Sequence, residues 1–150
     1  MARGLTPAAI LAAGALLSAG CSGADTKSDY VDTLNGIQEQ ALNTFNQTVS
    51  APARNPEQQA EQLQVAAATY DDILAELESV EVPEEAQAGH DELVAGYEEM
   101  RAVFDEAYKK AKKANEASES IAAVSVIGNE GAAIGERLNE ALDQIRQDLD

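Results

Sequence analysis

Residues 83–115 read PEEAQAGHDELVAGYEEMRAVFDEAYKKAKKAN, and their spacing predicts one long amphipathic helix. Apolar residues and a single histidine recur at alternating steps of three and four, with acidic residues between them. Such spacing places a continuous stripe on one face of a helix. That face must be buried against other helices. The stripe consists of His90, Leu93, Tyr97, Met100, Phe104, Ala107 and Ala111.

Three more segments carry the same periodicity, and helix-breaking residues separate them. They cover about 28–50, 55–82 and 118–149. Asn55 is placed to cap the second helix, because Pro56 and Gln58 follow it at positions typical of a helix start. The predicted core positions in these segments are Tyr30, Leu34, Ile37, Ala41, Phe45 and Val49; Leu63, Ala66, Tyr70, Ile73, Leu77 and Val80; and Ile121, Val124, Ile127, Ile134, Leu138, Ala141, Ile145 and Leu149.

The short connections between these segments predict that successive helices are antiparallel. We therefore expect an all-α, up-down-up-down four-helix bundle, a single domain over residues 28–150. Gly128, Gly131 and Gly135 interrupt the last segment, and each costs about 1 kcal/mol relative to alanine in a helix. The fallback is a three-helix bundle in which 121–135 is irregular. A core so rich in alanine predicts either modest stability or a homodimer formed through an Ala/Gly face.

The composition argues against several classes of function. The chain has 150 residues, 27 acidic against 10 basic, and a formal net charge of −17, which would be repelled by nucleic acid. One Cys rules out an internal disulfide, and one His rules out a three-His zinc site within the chain. The chain has neither a Gly-x-Ser-x-Gly motif nor a second histidine. We therefore predict no enzymatic activity and no cofactor.

The N-terminus has the layout of a secretory signal. Arg3 is the only charged residue before Asp25, and the apolar run 5–17 is shorter than the about 20 residues that a membrane span needs. A positive start, a short apolar run and then small residues are typical of a cleaved signal peptide.

The apolar run ends in a motif that resembles a bacterial lipobox, namely Leu17-Ser18-Ala19-Gly20-Cys21. The resemblance implies that residues 1–20 are removed as a lipoprotein signal peptide and that Cys21 is acylated, with palmitate among the acyl chains. Residues 21–27 would then be the lipidated cysteine and a polar tether. Lipoproteins carry two or three acyl chains, and stable anchoring takes more than one. The implied location is the extracytoplasmic face of a cell membrane, in the cell envelope.

A second resemblance lies at the turn between the second and third helices. The pattern Leu77-x-x-Val80-x-Val82-Pro83-Glu84-x5-His90-x-x-Leu93 is similar to a helical hairpin of small uncharacterised helical lipoproteins of actinobacteria. This resemblance implies no activity, and it assigns no site residues.

His90 is the one candidate metal ligand. The ordinary interpretation is a histidine at the edge of the core or at a helix cap. The functional hypothesis is a metal or solute site, because the predicted topology brings Asp29, Asp32, Asp143 and Asp148 to the same end of the bundle. A protonating imidazole there would also sense pH.

Two charged patterns lie on the third helix. Acidic pairs recur every seven residues from Glu84-Glu85 to Asp105-Glu106, which predicts a solvated face rather than a cation site. The only basic cluster comprises Lys109, Lys110, Lys112 and Lys113. It is either a docking patch for an acidic partner or charge that complements the helix dipole.

Taken together, these features predict a lipid-anchored extracytoplasmic lipoprotein that acts as a binding or interaction module. Its expected partners are the membrane, through the anchor, and a protein or envelope polymer. The alternative is a metal- or solute-binding accessory lipoprotein that uses His90 and nearby carboxylates.

Overall fold

The computed structural model describes residues 22–51, 53 and 55–150, which contain four α-helices and no β-strand. The all-α class is therefore confirmed. The lipobox residues and Cys21 lie outside the described residues. The helices are α1 (Ser22–Ser50), α2 (Pro56–Ser79), α3 (Gln87–Lys113), which follows a 3-10 turn at Glu84–Ala86, and α4 (Ala117–Leu149).

The start of α2 follows the sequence prediction closely. The Asn55 side-chain oxygen accepts a hydrogen bond from the Gln58 backbone N–H at 2.8 Å, and Pro56 occupies the first turn. An N-cap oxygen satisfies a donor that has no partner within the helix. The helix ends at Ser79 because Val80 adopts extended backbone ahead of Pro83.

The predicted start of α1 at Ser28 is wrong, since the helix begins six residues earlier, at Ser22. Residues 22–27, expected to be a tether, are helical. Asp25 lies in the first turn, where the helix dipole favours an acid. Lys27 pairs with Glu85 at 3.3 Å.

The three-helix alternative is wrong, because α4 is continuous through residues 121–135. A tertiary contact offsets the poor helix propensity at one of its glycines. A Cβ at Gly131 would lie 2.7 Å from Phe45 Cε2 and 3.5 Å from Met100 Sδ, so only glycine lets α1 and α3 approach α4 there. Gly128 and Gly135 have no such neighbours within 4 Å.

α3 packs extensively against both α2 and α4. On the α2 side, the Tyr70 and Phe104 rings lie 5.0 Å apart between centroids. On the α4 side, a Cβ at Gly89 would lie 2.6 Å from Ile145 Cγ1, and one at Gly96 would lie 2.6 Å from Leu138 Cδ2. The two glycines thus allow α4 to lie close along α3.

α1 is the outer helix and approaches α2 and α4 less closely. The Tyr70 hydroxyl donates to the Ala41 carbonyl oxygen at 3.3 Å. The Gln38 amide donates to the Asn139 side-chain oxygen at 3.4 Å. Helix α1 is therefore held mainly by its own apolar stripe and these few polar contacts.

Most predicted core positions are buried, but Ile121 is not. Its side chain is 52% exposed, while the preceding Ser120 is 1% exposed and takes the inward position. The hydrophobic pattern of the sequence predicted burial of Ile121 because it is the larger apolar residue. In the structure, the packing of Val124 and Ile127 fixes the rotation of α4 about its axis, and this rotation turns Ser120 inward instead. Gln59 is also buried without having been predicted. Its side-chain oxygen accepts from the Ala53 N–H at 2.7 Å.

Alanine substitutions should distinguish a glycine that lies against a neighbouring helix from a glycine with open space around it. Gly128→Ala should raise the free energy of unfolding by about 0.5–1 kcal/mol, because alanine is the better helix former and has open space. Gly89→Ala should lower it, because overpacking of about 1–3 kcal/mol outweighs that gain where the Ala141 carbonyl also lies 3.3 Å from the new Cβ. Urea unfolding followed by circular dichroism measures both. Equal effects of the two substitutions would contradict the packing described.

Candidate functional site

A cavity of about 380 Å³ opens between α1 and α4, and we call it the α1–α4 groove. Its floor is formed by Tyr70 of α2 together with Tyr97 and Met100 of α3, all of which are buried. The other lining residues come from α1 and α4. These are Gln38, Ala41, Leu42, Phe45 and Val49 of α1, and Gly128, Gly131, Ala132, Gly135, Glu136, Leu138, Asn139 and Leu142 of α4.

The groove exists because the α4 wall lacks side chains. Gly128, Gly131, Ala132 and Gly135 lie along it, and the α1 wall adds Ala41. Gly131 packs against Phe45, but Cβ atoms at Gly128 and Gly135 would meet nothing within 4 Å. Along this wall, α1 and α4 are therefore in contact at Gly131 and leave space at Gly128 and Gly135.

Tyr97 places a polar group at the apolar floor. The residue is 2% exposed, and burial raises the pKa of its phenol to about 12. The other two core tyrosines have partners, since Tyr70 donates to Ala41 and Tyr30 contacts His90. Within the described part of the chain, the Tyr97 hydroxyl makes no hydrogen bond. The hydroxyl is not among the fully buried side-chain polar atoms without a partner, which in the described chain are Gln59 Nε2 and Ser120 Oγ. It therefore keeps a small exposed area and is available to a ligand.

The groove is apolar at its centre and polar at one edge. Leu42, 54% exposed, stands on the α1 side, and the Gln38–Asn139 hydrogen bond joins the two helices. Glu136 is the only charged residue among the lining residues. The adjacent Arg137 is paired with Glu99 of α3. The groove thus offers no cation to an anionic ligand.

His90 lies at the start of α3 and is 6% exposed. Its Nδ1 is 3.0 Å from the Tyr30 hydroxyl of α1, and the two rings are 5.9 Å apart. Burial lowers the pKa of His90, while the Asp91 carboxylate and a hydrogen bond to the Leu77 backbone oppose that shift. The imidazole therefore fastens α1 to α3 in its neutral form.

The carboxylates that the sequence placed near His90 do not gather around it. Its hydrogen-bonded side-chain partner is a phenol, and Asp143 is paired with Arg146 at 2.9 Å. No group of three or more metal-ligating side chains that could hold an ion occurs among the described residues. The metal hypothesis gains no ligand set from this geometry.

The lysine cluster at the end of α3 is largely engaged within its own helix. Lys109 pairs with Asp105 at 2.6 Å and Lys110 pairs with Glu106 at 2.7 Å. Lys112 donates to the Tyr108 hydroxyl at 3.2 Å and lies over its ring. Lys113 completes the exposed cluster. These contacts match the helix-end interpretation, and the docking patch stays a prediction.

The acidic pairs of α3 lie outward, as predicted. Every member is exposed except Asp105, which is half-buried. Several have cationic partners instead of converging on a common point, as Glu85 has Lys27 and Glu99 has Arg137. They form a solvated, partly neutralised face.

Sequence reasoning did not find the groove. The three glycines of α4 were interpreted as interruptions of the last helix, and Tyr97 as an ordinary core residue. The available signal was the number of small residues on one face of α4 opposite Ala41. That signal does not reveal which glycines touch a neighbour and which leave space.

No family model matches the chain, and no curated protein or solved structure is similar to it. Among the described helices, none combines the length and the hydropathy that crossing a bilayer requires.

The His90–Tyr30 contact should make stability pH-dependent. The folded-state pKa of His90 is below its ordinary 6.5, so the unfolded chain binds more protons than the folded chain. The resulting stability is present above pH 6.5 and is lost as the pH falls through the lower folded value. The free energy of unfolding of the wild type, minus that of His90→Gln, should therefore fall as the pH is lowered from about 7.5 to 5.

Taking the difference between the two proteins removes the shared effect of the surface carboxylates. Chemical unfolding at a series of pH values provides the measurement. A difference that stays flat or increases toward acid would show that the imidazole is not held neutral by burial.

Proposed function

We propose that this chain is a lipid-anchored, extracytoplasmic lipoprotein that acts as a binding module through the α1–α4 groove. The observation that carries the binding role is the groove itself, an apolar concavity with Tyr97, whose hydroxyl has no hydrogen-bond partner in the described chain, at its floor. Such cavities are the usual form of small-ligand sites. The anchor is proposed from the lipobox-like residues that end at Cys21.

The finer architecture that we propose is the up-down-up-down order of the helices. Contacts between α3 and α4 support it, since Gly89 lies next to Ile145 and Gly96 lies next to Leu138. Residue numbers therefore rise along α3 as they fall along α4, which means that the two helices are antiparallel. Between α1 and α4, Gln38 meets Asn139 and Phe45 meets Gly131. These contacts pair the helices in opposite directions.

The position of the anchor determines how far the groove lies from the membrane surface. α1 begins directly after Cys21, and the α1 lining residues start at Gln38, about 24 Å along a helix that rises 1.5 Å per residue. The groove would then open beyond the lipid headgroups. The net charge of −17 adds repulsion from an anionic membrane surface and favours a body that stands off from it.

The proposal includes no chemical reaction and no nucleic-acid partner. The groove holds one carboxylate, Glu136, and no second carboxylate, histidine, lysine or cysteine with which it could share acid–base work. The net charge of −17 argues against a nucleic-acid partner.

Acylation of Cys21 is the first test. Cells that express the full chain and are fed an alkyne-bearing fatty acid should label the wild type and not Cys21→Ser, because the thiol is the proposed attachment point. Ser22→Ala is the matched control and should be labelled like the wild type. The membrane fraction should also retain the wild type and release Cys21→Ser on washing without detergent.

Equal labelling of the wild type and Cys21→Ser would remove the anchor from the proposal. So would an intact mass showing that residues 1–20 remain on the wild-type chain.

A further inference from the structure

We propose that the α1–α4 groove binds one neutral amphiphile, a small apolar molecule that carries a single hydrogen-bonding oxygen, such as a long-chain alcohol. This inference rests on the binding role proposed above, and it does not depend on the lipid anchor.

The size of the groove fits a small molecule. A volume of about 380 Å³ lies at the lower end of the 300–1,000 Å³ typical of ligand pockets. A helix from a protein partner is about 10 Å across with its side chains, so it would lie over the rim and place only a few side chains in a cavity of that volume. One compact apolar ligand is the occupant that this space accommodates.

The surface around the groove does not resemble an interface with a second copy. Among the described residues, the exposed large apolar side chains are Leu42, Val65 and Ile121, and only Leu42 lines the groove. A stable dimer buries at least about 1,000 Å² and needs a contiguous apolar patch. The apolar character here is inside the cavity rather than on its rim.

The Tyr97 hydroxyl defines the polar end of the ligand. It lies at the floor on a residue that is 2% exposed, and no group of the described chain bonds to it. The fully buried side-chain polar atoms without a partner in the described chain are Gln59 Nε2 and Ser120 Oγ, so the Tyr97 hydroxyl is not sealed in the core. A ligand oxygen at the floor can therefore bond to it in place of solvent. A purely hydrocarbon ligand would leave the hydroxyl unpaired.

The charges select a neutral ligand over an anionic one. The only charged lining residue is Glu136, and the neighbouring Arg137 is held by Glu99. The whole chain carries a net charge of −17. A carboxylate would enter against this field with no cation to receive it, whereas an alcohol meets no such penalty.

The test measures binding to the full chain carrying Cys21→Ser, prepared without detergent so that the groove is not occupied. The probe is N-phenylnaphthylamine, a neutral dye whose fluorescence rises in apolar sites. Dodecanol and dodecanoate then compete for the site. They have equal chain lengths and differ in the charge of the polar end. We expect dodecanol to displace the dye with an affinity at least about tenfold higher than that of dodecanoate.

Two glycine variants locate the site. Gly135→Leu adds a side chain where nothing lies within 4 Å of the Cβ, so it should fill the groove without straining the fold and weaken dye binding by about tenfold or more. Gly36→Leu is the matched control, since Gly36 has equal space on α1 but does not line the groove. It should change dye affinity less than about twofold.

Tyr97→Phe tests the polar end. It should weaken dodecanol binding by about three- to tenfold more than it weakens dye binding, the effect of one hydrogen bond to the alcohol. Circular dichroism of each variant shows that the helices are intact.

The outcomes separate the two proposals. If the dye does not bind, or binds equally to Gly135→Leu, the groove is not a site and the binding role falls with it. If the dye binds in the groove but dodecanol has no advantage over dodecanoate, or Tyr97→Phe has no effect, only the ligand class is wrong. A dimer whose formation displaces the dye as protein concentration rises would assign the groove to a second copy and overturn the inference.

Discussion

The packing of α3 between α2 and α4 is the constraint from which the rest of this structure follows. One face of α3 serves two neighbours, because Phe104 meets the Tyr70 ring while Gly89 and Gly96 admit α4 side chains. Ion pairs flank both contacts, with Arg101 on Asp71 and Arg137 on Glu99. Exposed pairs of this kind contribute little on their own, so burial of the stripe supplies most of the stability.

Because α3 packs against α2 and α4, α1 lies on the outside of these three helices. It lies against the remaining edges of α2 and α4, and Tyr30 reaches across to His90. At its middle it faces glycines that give it little to pack against. The groove is the consequence of an outer helix that meets small residues, and its apolar floor consists of buried core residues. The open groove and the modest packing of α1 have one cause here.

The sequence predicted what depends on local pattern. Alternating steps of three and four residues identified the helices and most buried positions, and Asn55 with Pro56 identified a helix start. It failed where tertiary packing overrides pattern. Ser120 is buried in place of Ile121 because neighbouring residues set the rotation of α4. The groove was not predictable, since whether a glycine touches a neighbour or leaves space depends on the relative positions of two helices.

Hydrogen exchange with and without dodecanol tests most directly the claim that α1 and α4 form a binding groove on a firm core. We predict slowest exchange in α3 and faster exchange in α1, because α1 has fewer packing contacts. Dodecanol should slow exchange in 38–49 and 128–142, which contain the α1 and α4 lining residues. Uniform protection of all four helices, or a dodecanol response confined to residues that do not line the groove, would contradict the account.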